Sequence, residues 1–140
     1  MKEISLKFDG FYPNSPSQPD SDVPGIFVVY AGKVTPDNRC VLNRVLYIGE
    51  TNSTITQAAQ SKKLKEKLNQ NIDSDEVLYY AITEVRGEAK KQATAALIFA
   101  NKPICNEQQY EEYPYDSVTL SHKSGSIKTS PLISTFKISN

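Results

Sequence analysis

Residues 25–31 read GIFVVYA and residues 44–49 read RVLYIG, and these two runs decide the fold. Both are rich in β-branched and aromatic side chains, which favour strands. The turn-forming sequence Pro36-Asp37-Asn38-Arg39 lies between them. The connection is therefore short, which predicts an antiparallel pair of strands.

Helices and a third strand are predicted after this pair. A capping-box spacing at Thr54 begins the first helix, and apolar residues follow at helical intervals as far as Leu68. Residues 76–83 predict a third strand, and a second helix should end before Pro103. The expected fold class is α+β, with a small three-stranded antiparallel sheet flanked by helices.

Segments on either side of this region complete the chain. Residues 1–23 predict an N-terminal strand and a proline-rich loop, and residues 24–107 hold the predicted domain. Residues 108–140 form a C-terminal extension, in which residues 118–121 and 132–138 predict a further strand pair. A length of 140 residues suits one ordinary domain with such additions.

Composition argues against several classes of protein. Lys plus Arg and Asp plus Glu both number 16, so the formal net charge is zero, whereas dedicated nucleic-acid binders are usually basic. There is one histidine, and neither Cys40 nor Cys105 has a metal-ligand spacing, so no Cys/His metal site is predicted. No run of about 18 apolar residues occurs, and the N-terminus has no signal-peptide core. The sequence therefore predicts a cytoplasmic protein with no membrane partner.

Several short motifs, taken together, point to one enzyme family. Gly25-Ile26-Phe27 opens the first strand and Tyr47-Ile48-Gly49 closes the second. Residues 94–98 on the second helix and residues 102–106 after it follow in order. This set resembles the GIY-YIG nuclease family over roughly residues 24–107. The resemblance implies a GIY-YIG-like fold and metal-assisted phosphodiester hydrolysis, with Mg²⁺ as the cofactor of an active member.

The chain departs from that family at three positions of the usual catalytic set. The resemblance places Phe27 at the tyrosine of the GIY element, Gln57 at the helix arginine and Thr94 at the metal-binding glutamate. Tyr47 keeps the tyrosine of the YIG element. Tyr30 does not replace Phe27, because an odd step along a strand points to the opposite face of the sheet.

Tyr47 and Glu50 are the candidate catalytic residues. Tyr47 could position an attacking water, and by strand alternation it should share a face with Val45 and Gly49. Glu50 directly follows the YIG-like element, so it is the better carboxylate to replace the missing one, with Glu84 as the second candidate. The alternative for Tyr47 is an ordinary aromatic residue of a strand.

Candidate nucleic-acid contacts are Gln57, Lys63, Lys67 and Asn106. Lys63 and Lys67 share one face of the predicted first helix, where their charges could meet phosphates. Each candidate also has a structural alternative. Gln57 could complete the capping box, the lysines could form a solvated helix surface, and Asn106 could tie down a loop.

The C-terminal extension suggests a different partner. Tyr110, Tyr113 and Tyr115 are interleaved with acidic residues, which predicts a protein contact at exposed tyrosines. Two functions are therefore predicted. The first is a degenerate GIY-YIG-like domain, non-catalytic or weakly active, which binds nucleic acid or protein and needs no cofactor when inactive. The alternative is an active Mg²⁺-dependent DNA endonuclease whose catalytic residues have been relocated.

Overall fold

The computed structural model describes residues 2–13, 24–34, 40–51, 62–106, 112–115, 118–124 and 135–138. The elements in these ranges are, in chain order, β1 (Lys2–Pro13), β2 (Gly25–Val34), β3 (Cys40–Thr51), α1 (Lys62–Asn69), β4 (Val77–Glu84), α2 (Gly87–Asn101), β5 (Val118–Ser124) and β6 (Thr135–Ile138). The predicted α+β class is confirmed. The expected start of the first helix, at Thr54 and Gln57, lies outside the described residues.

All of these strands belong to one sheet, in the order β3-β2-β4-β1-β5-β6. Strands β3, β2 and β4 run antiparallel, which is the three-stranded sheet expected from the sequence. Strand β1 pairs antiparallel with β4 and parallel with β5, and β6 pairs antiparallel with β5. The N-terminal strand and the predicted C-terminal strand pair thus extend the central sheet.

One face of the sheet, termed the α2 face, packs against α2. Its buried residues include, from β1, β2, β3 and α2 in turn, Ile4, Leu6, Phe8, Ile26, Val28, Ile48, Ala93, Ala96 and Leu97. Alanine favours helix and has no side chain beyond Cβ, so α2 can approach the strands closely. The helix ends at Asn101, as Pro103 predicts, and Lys102 takes a left-handed conformation with φ of 48°.

The opposite face, termed the α1 face, packs against α1. Its buried residues are Phe27, Val29, Ala31, Leu46, Leu68, Leu78, Tyr80, Ile82 and Cys105. Within α1, Leu68 is buried completely and Leu64 partly. Phe27 lies on this face and Tyr30 on the other, so the prediction that the two side chains point to opposite faces is confirmed.

A β-bulge in β3 breaks the alternation of its side chains. Val29 pairs with Tyr47 and Tyr30 pairs with Val45, so Leu46 is the extra residue. Val45 packs against the α2-face core, whereas Leu46 and Tyr47 contact the α1-face core. The expectation that Tyr47 and Val45 share a face is therefore wrong, because the bulge reverses the pattern between them.

The C-terminal extension contributes to the α2-face core. Tyr113 is only 3% exposed, and its ring centroid lies 6.3 Å from that of Phe99 and 5.8 Å from that of Tyr115. The predicted exposed contact is therefore wrong for Tyr113, whose ring packs on α2. Tyr115 is half-buried, and Tyr110 lies outside the described residues.

A buried carboxylate joins β3 to the loop before β4. The Glu76 side chain is 1% exposed and forms a two-bonded pair with Arg44, whose Nη1 and Nη2 each lie 2.8 Å from a carboxylate oxygen. Asn43 Nδ2 and the amide of Asp73 also donate to Glu76, at 2.9 and 2.8 Å. These donors, and above all the Arg44 guanidinium, lower the pKa of Glu76 to about 2.

Candidate functional site

Phe27, Tyr47 and Gly49 form the centre of the candidate site on the α1 face. Gly49 pairs directly with Phe27, and the ring centroids of Phe27 and Tyr47 are 5.7 Å apart. Phe27 is 2% exposed and Tyr47 is half-buried. An apolar buried ring therefore stands where the family resemblance expects a tyrosine, and Tyr47 supplies the hydroxyl of the pair.

Gly49 is required here by the close approach of both rings. A Cβ atom at this position would lie 2.5 Å from Cζ of Phe27 and 2.7 Å from Cε1 of Tyr47. These separations are far below van der Waals contact, so one ring would have to move. Tyr47 and Gly49 share the α1 face, as the sequence predicts.

We expect Gly49→Ala to lower the free energy of unfolding by about 1–3 kcal/mol, the usual effect of overpacking a core. Urea denaturation followed by circular dichroism measures this change, with the exposed Ser5→Ala on β1 as the control. An unchanged midpoint for Gly49→Ala would show that the two rings have room to separate.

Glu50 does not lie on the Tyr47 side of the sheet. Glu50 pairs with Ile26, which belongs to the α2-face core, whereas Tyr47 pairs with Val29 of the α1-face core. Three residues along a strand is an odd step, so the two side chains point in opposite directions. The structure therefore does not bring the two candidate catalytic residues together.

Glu84, the second candidate carboxylate, is on the Tyr47 side. Gly25 pairs with both Glu84 and Thr51, and the alternation from Ile82 places Glu84 on the α1 face at the end of the sheet. Its Oε1 accepts a hydrogen bond from Nη2 of Arg86 at 3.1 Å, and both side chains are exposed. Glu84 is thus a solvated carboxylate with a cationic neighbour.

Thr94, which the resemblance aligns with a metal-binding glutamate, lies on α2 beside Lys90. The Thr94 hydroxyl donates to the carbonyl of Lys90 at 2.8 Å, and Thr94 is buried. Lys90 precedes it by four residues, on the same side of the helix, and is 2% exposed. Lys90 Nζ donates to the carbonyl of Thr51 at 3.0 Å, at the end of β3.

These residues do not fit a divalent cation. Mg²⁺ is held in proteins mainly by carboxylate oxygens, and the pair offers a hydroxyl already bonded to the helix and an ammonium group that would repel the ion. Lys90 is not among the site residues predicted from the sequence. The four-residue spacing between Lys90 and Thr94 could have indicated that both side chains lie on one side of α2.

The lysines of α1 differ in exposure. Leu64 and Leu68 turn toward the sheet, whereas Lys63 is exposed and Lys67 half-buried. The helix also carries Lys62 and Lys65, with Glu66 as its one acidic residue. Its surface is therefore positively charged although the whole chain is neutral. Gln57, the other predicted contact near this helix, lies outside the described residues.

Asn106 joins the segment that follows α2 to strand β3. Its Oδ1 accepts from the amide of Ile48 at 2.9 Å, and its Nδ2 donates to the carbonyl of Ile48 at 2.8 Å. The amide of Cys105 donates to the carbonyl of Leu46 at 2.9 Å. The geometry thus favours the structural alternative for Asn106, since both polar atoms of its side chain bond to backbone.

Tyr80 places a second hydroxyl in the α1-face core, two strands from Tyr47 in the row Tyr47–Val29–Tyr80. The side chain is fully buried, and its hydroxyl meets no hydrogen-bond partner among the described residues. Burial raises the pKa of this phenol to about 12.

We expect Tyr80→Phe to raise the free energy of unfolding by about 1 kcal/mol, because a buried polar group without a partner is removed. The folded-state pKa lies above the ordinary value of 10, so between pH 10 and pH 12 the unfolded chain loses this proton more readily than the folded chain does. The free energy of unfolding of the unaltered chain therefore falls over that range. Urea titrations at pH 7 and pH 11 should therefore show a larger advantage for Tyr80→Phe at the higher pH. Destabilisation at pH 7 would contradict this account.

Among the described residues, no group of three His, Cys, Asp or Glu side chains could hold a metal ion. Neither helix in those ranges is both long enough and apolar enough to cross a membrane. No protein-family model, no curated protein and no solved structure matches the chain. The chemistry of the site must therefore be inferred from its own residues.

Proposed function

We propose that the chain is a GIY-YIG-like domain that binds nucleic acid without cleaving it. The observation that carries this proposal is the pair Lys90 and Thr94 on α2. The resemblance assigns Thr94 to the position of a metal-binding glutamate, and the side chains of Thr94 and Lys90 bond to backbone carbonyls, those of Lys90 and Thr51. A site without that carboxylate loses the group that would stabilise charge on the reacting phosphate.

The positive side of α1 supports nucleic acid as the partner. Lys63 is exposed, Lys67 is half-buried, and both belong to a helix packed on the same face as Tyr47. Lysines contact phosphates as point charges and do so without sequence preference. The half-buried Tyr47 ring, on the same face of the sheet, adds an aromatic surface on which an unpaired base could stack.

Binding is tested by fluorescence anisotropy with a labelled duplex and with a labelled single strand. We expect Lys63→Ala combined with Lys67→Ala to weaken both complexes and to lower the salt-dependence slope by about two, one for each lost phosphate contact. Lys91→Ala is the matched control, since Lys91 is an exposed lysine on the helix of the opposite face. No binding by the unaltered chain at low salt would refute a nucleic-acid partner and leave a protein partner.

The second candidate function is a Mg²⁺-dependent DNA endonuclease with relocated residues. The position of Glu84 on the Tyr47 face is the observation that favours it. Plasmid nicking with added Mg²⁺ or Mn²⁺, compared among the unaltered chain, Tyr47→Phe and Glu84→Gln, decides between the two functions. Metal-dependent nicking that both substitutions abolish would establish the endonuclease and overturn the binding proposal.

A further inference from the structure

Asn106 bonds to the backbone of β3, which is an edge strand of the sheet. Strand β3 is first in the strand order, so β2 lies on one side of it and, among the described residues, no strand lies on the other. An edge strand presents backbone N–H and C=O groups that a second chain can pair with. At Ile48 both groups point outward, since Asn106 bonds to each of them.

The contacts of Asn106 reproduce those of a neighbouring strand. In an antiparallel sheet, two facing residues of a hydrogen-bonded pair exchange two N–H···O bonds. The carboxamide of Asn106 makes the same exchange with Ile48, accepting at 2.9 Å and donating at 2.8 Å. The amide of Cys105 adds a third bond, to the carbonyl of Leu46. This clip, residues 105–106, therefore imitates a partner strand along β3.

We propose that Asn106 guards this edge against pairing with a second copy of the chain. If a two-fold axis passed beside Ile48, Ile48 of one copy would face Ile48 of the second copy. The two residues would then exchange the same two hydrogen bonds that Asn106 now makes with Ile48. That arrangement is the self-complementary contact of a two-fold dimer. The bulge at Leu46 acts in the same sense, because it twists the edge away from a straight neighbouring strand.

The test replaces Asn106 by alanine and measures mass by sedimentation equilibrium, together with amide hydrogen exchange at Ile48. We expect Asn106→Ala to form a dimer as its concentration rises. The Ile48 amide should exchange at least about tenfold more slowly at about 1 mM than at about 10 µM. Asn101→Ala is the matched control, since Asn101 Nδ2 also donates to a backbone carbonyl, that of Leu97, but within α2.

Two results would overturn the proposal. One is an Asn106→Ala chain that stays monomeric at the highest concentration with Ile48 exchanging rapidly. The other is a dimer in which the Ile48 amide remains unprotected, because the copies would then meet elsewhere. If Asn106→Ala does not fold, as judged by circular dichroism, Asn106→Ser is measured in the same way and the same outcomes decide.

Discussion

Replacing Glu76 with glutamine should lower the free energy of unfolding by about 3 kcal/mol at neutral pH. This value is near the lower end of the range for breaking a buried ion pair, because the Arg44 side chain is 41% exposed. Glutamine keeps the shape of the side chain but turns an amide donor toward the guanidinium of Arg44. The donors from Asn43 and from the amide of Asp73 also lose a charged acceptor. Urea denaturation of the two proteins at pH 7 measures the difference.

The same difference should shrink in acid. The folded-state pKa of Glu76 is about 2, below its ordinary value of 4.5, so its contribution is present above pH 4.5 and is lost as the pH falls toward 2. The two denaturation midpoints should therefore approach each other between pH 5 and pH 2.5. A gap that is constant with pH would show that the effect comes from packing instead of charge.

Asp75→Asn is the matched control for this experiment. Asp75 pairs with Lys33 at 2.8 Å, but both side chains are well exposed, and exposed ion pairs contribute little. We expect its denaturation midpoint to stay within experimental error of the unaltered chain. A large effect of Asp75→Asn together with a small effect of the Glu76 substitution would contradict the expectation that the buried pair contributes more to stability than the exposed one.

The second large effect is expected at Leu68, where replacement by alanine should cost about 3 kcal/mol. Leu68 is the fully buried residue of α1 and packs in the α1-face core. A helix of eight residues is too short to be stable without tertiary contacts. The substitution should therefore free α1 from the sheet more readily than it unfolds the other elements.

Hydrogen exchange distinguishes local release of α1 from unfolding of the whole sheet. Amides of α1 should lose protection in Leu68→Ala while amides of β2 and β4 keep most of theirs, since local opening needs less free energy than global unfolding. Leu64→Ala is the control, because Leu64 is only partly buried and should have a smaller effect. Uniform loss of protection across the sheet would contradict a local role. The proposed nucleic-acid binding should weaken in Leu68→Ala as well, because the α1 lysines would lose their fixed position.

Strands β2 and β4 could be predicted closely because each is buried and regularly paired. Their ladder runs without a break from Gly25 opposite Glu84 to Gly32 opposite Val77, so side-chain alternation holds throughout. In β3 the bulge at Leu46 is invisible to a pattern of period two, and it reversed the expected face of Val45 relative to Tyr47. The opposite placement of Glu50 and Tyr47 follows from the same alternation that separates Tyr30 from Phe27, so it could have been predicted from the sequence.

The neighbours of β1 could not be predicted from local sequence. Alternating apolar residues identify a strand, but they carry no information on which distant strand lies beside it. The site shows the same limit, since Lys90 reaches Thr51 across 39 positions of the chain. Helical spacing could relate Lys90 to Thr94, but the contact with β3 depends on how α2 packs over the sheet.

The position of β1 also bears on how the chain folds as it is made. The strand is made well before its parallel partner, which begins at Val118. Until β5 emerges, β1 can pair with β4 on one side only, and its other side remains open to unwanted neighbours. Long-range pairing of this kind is slow, and such chains depend on protection during synthesis. The complete sheet of this protein is therefore expected to form only after β5 and β6 have been made.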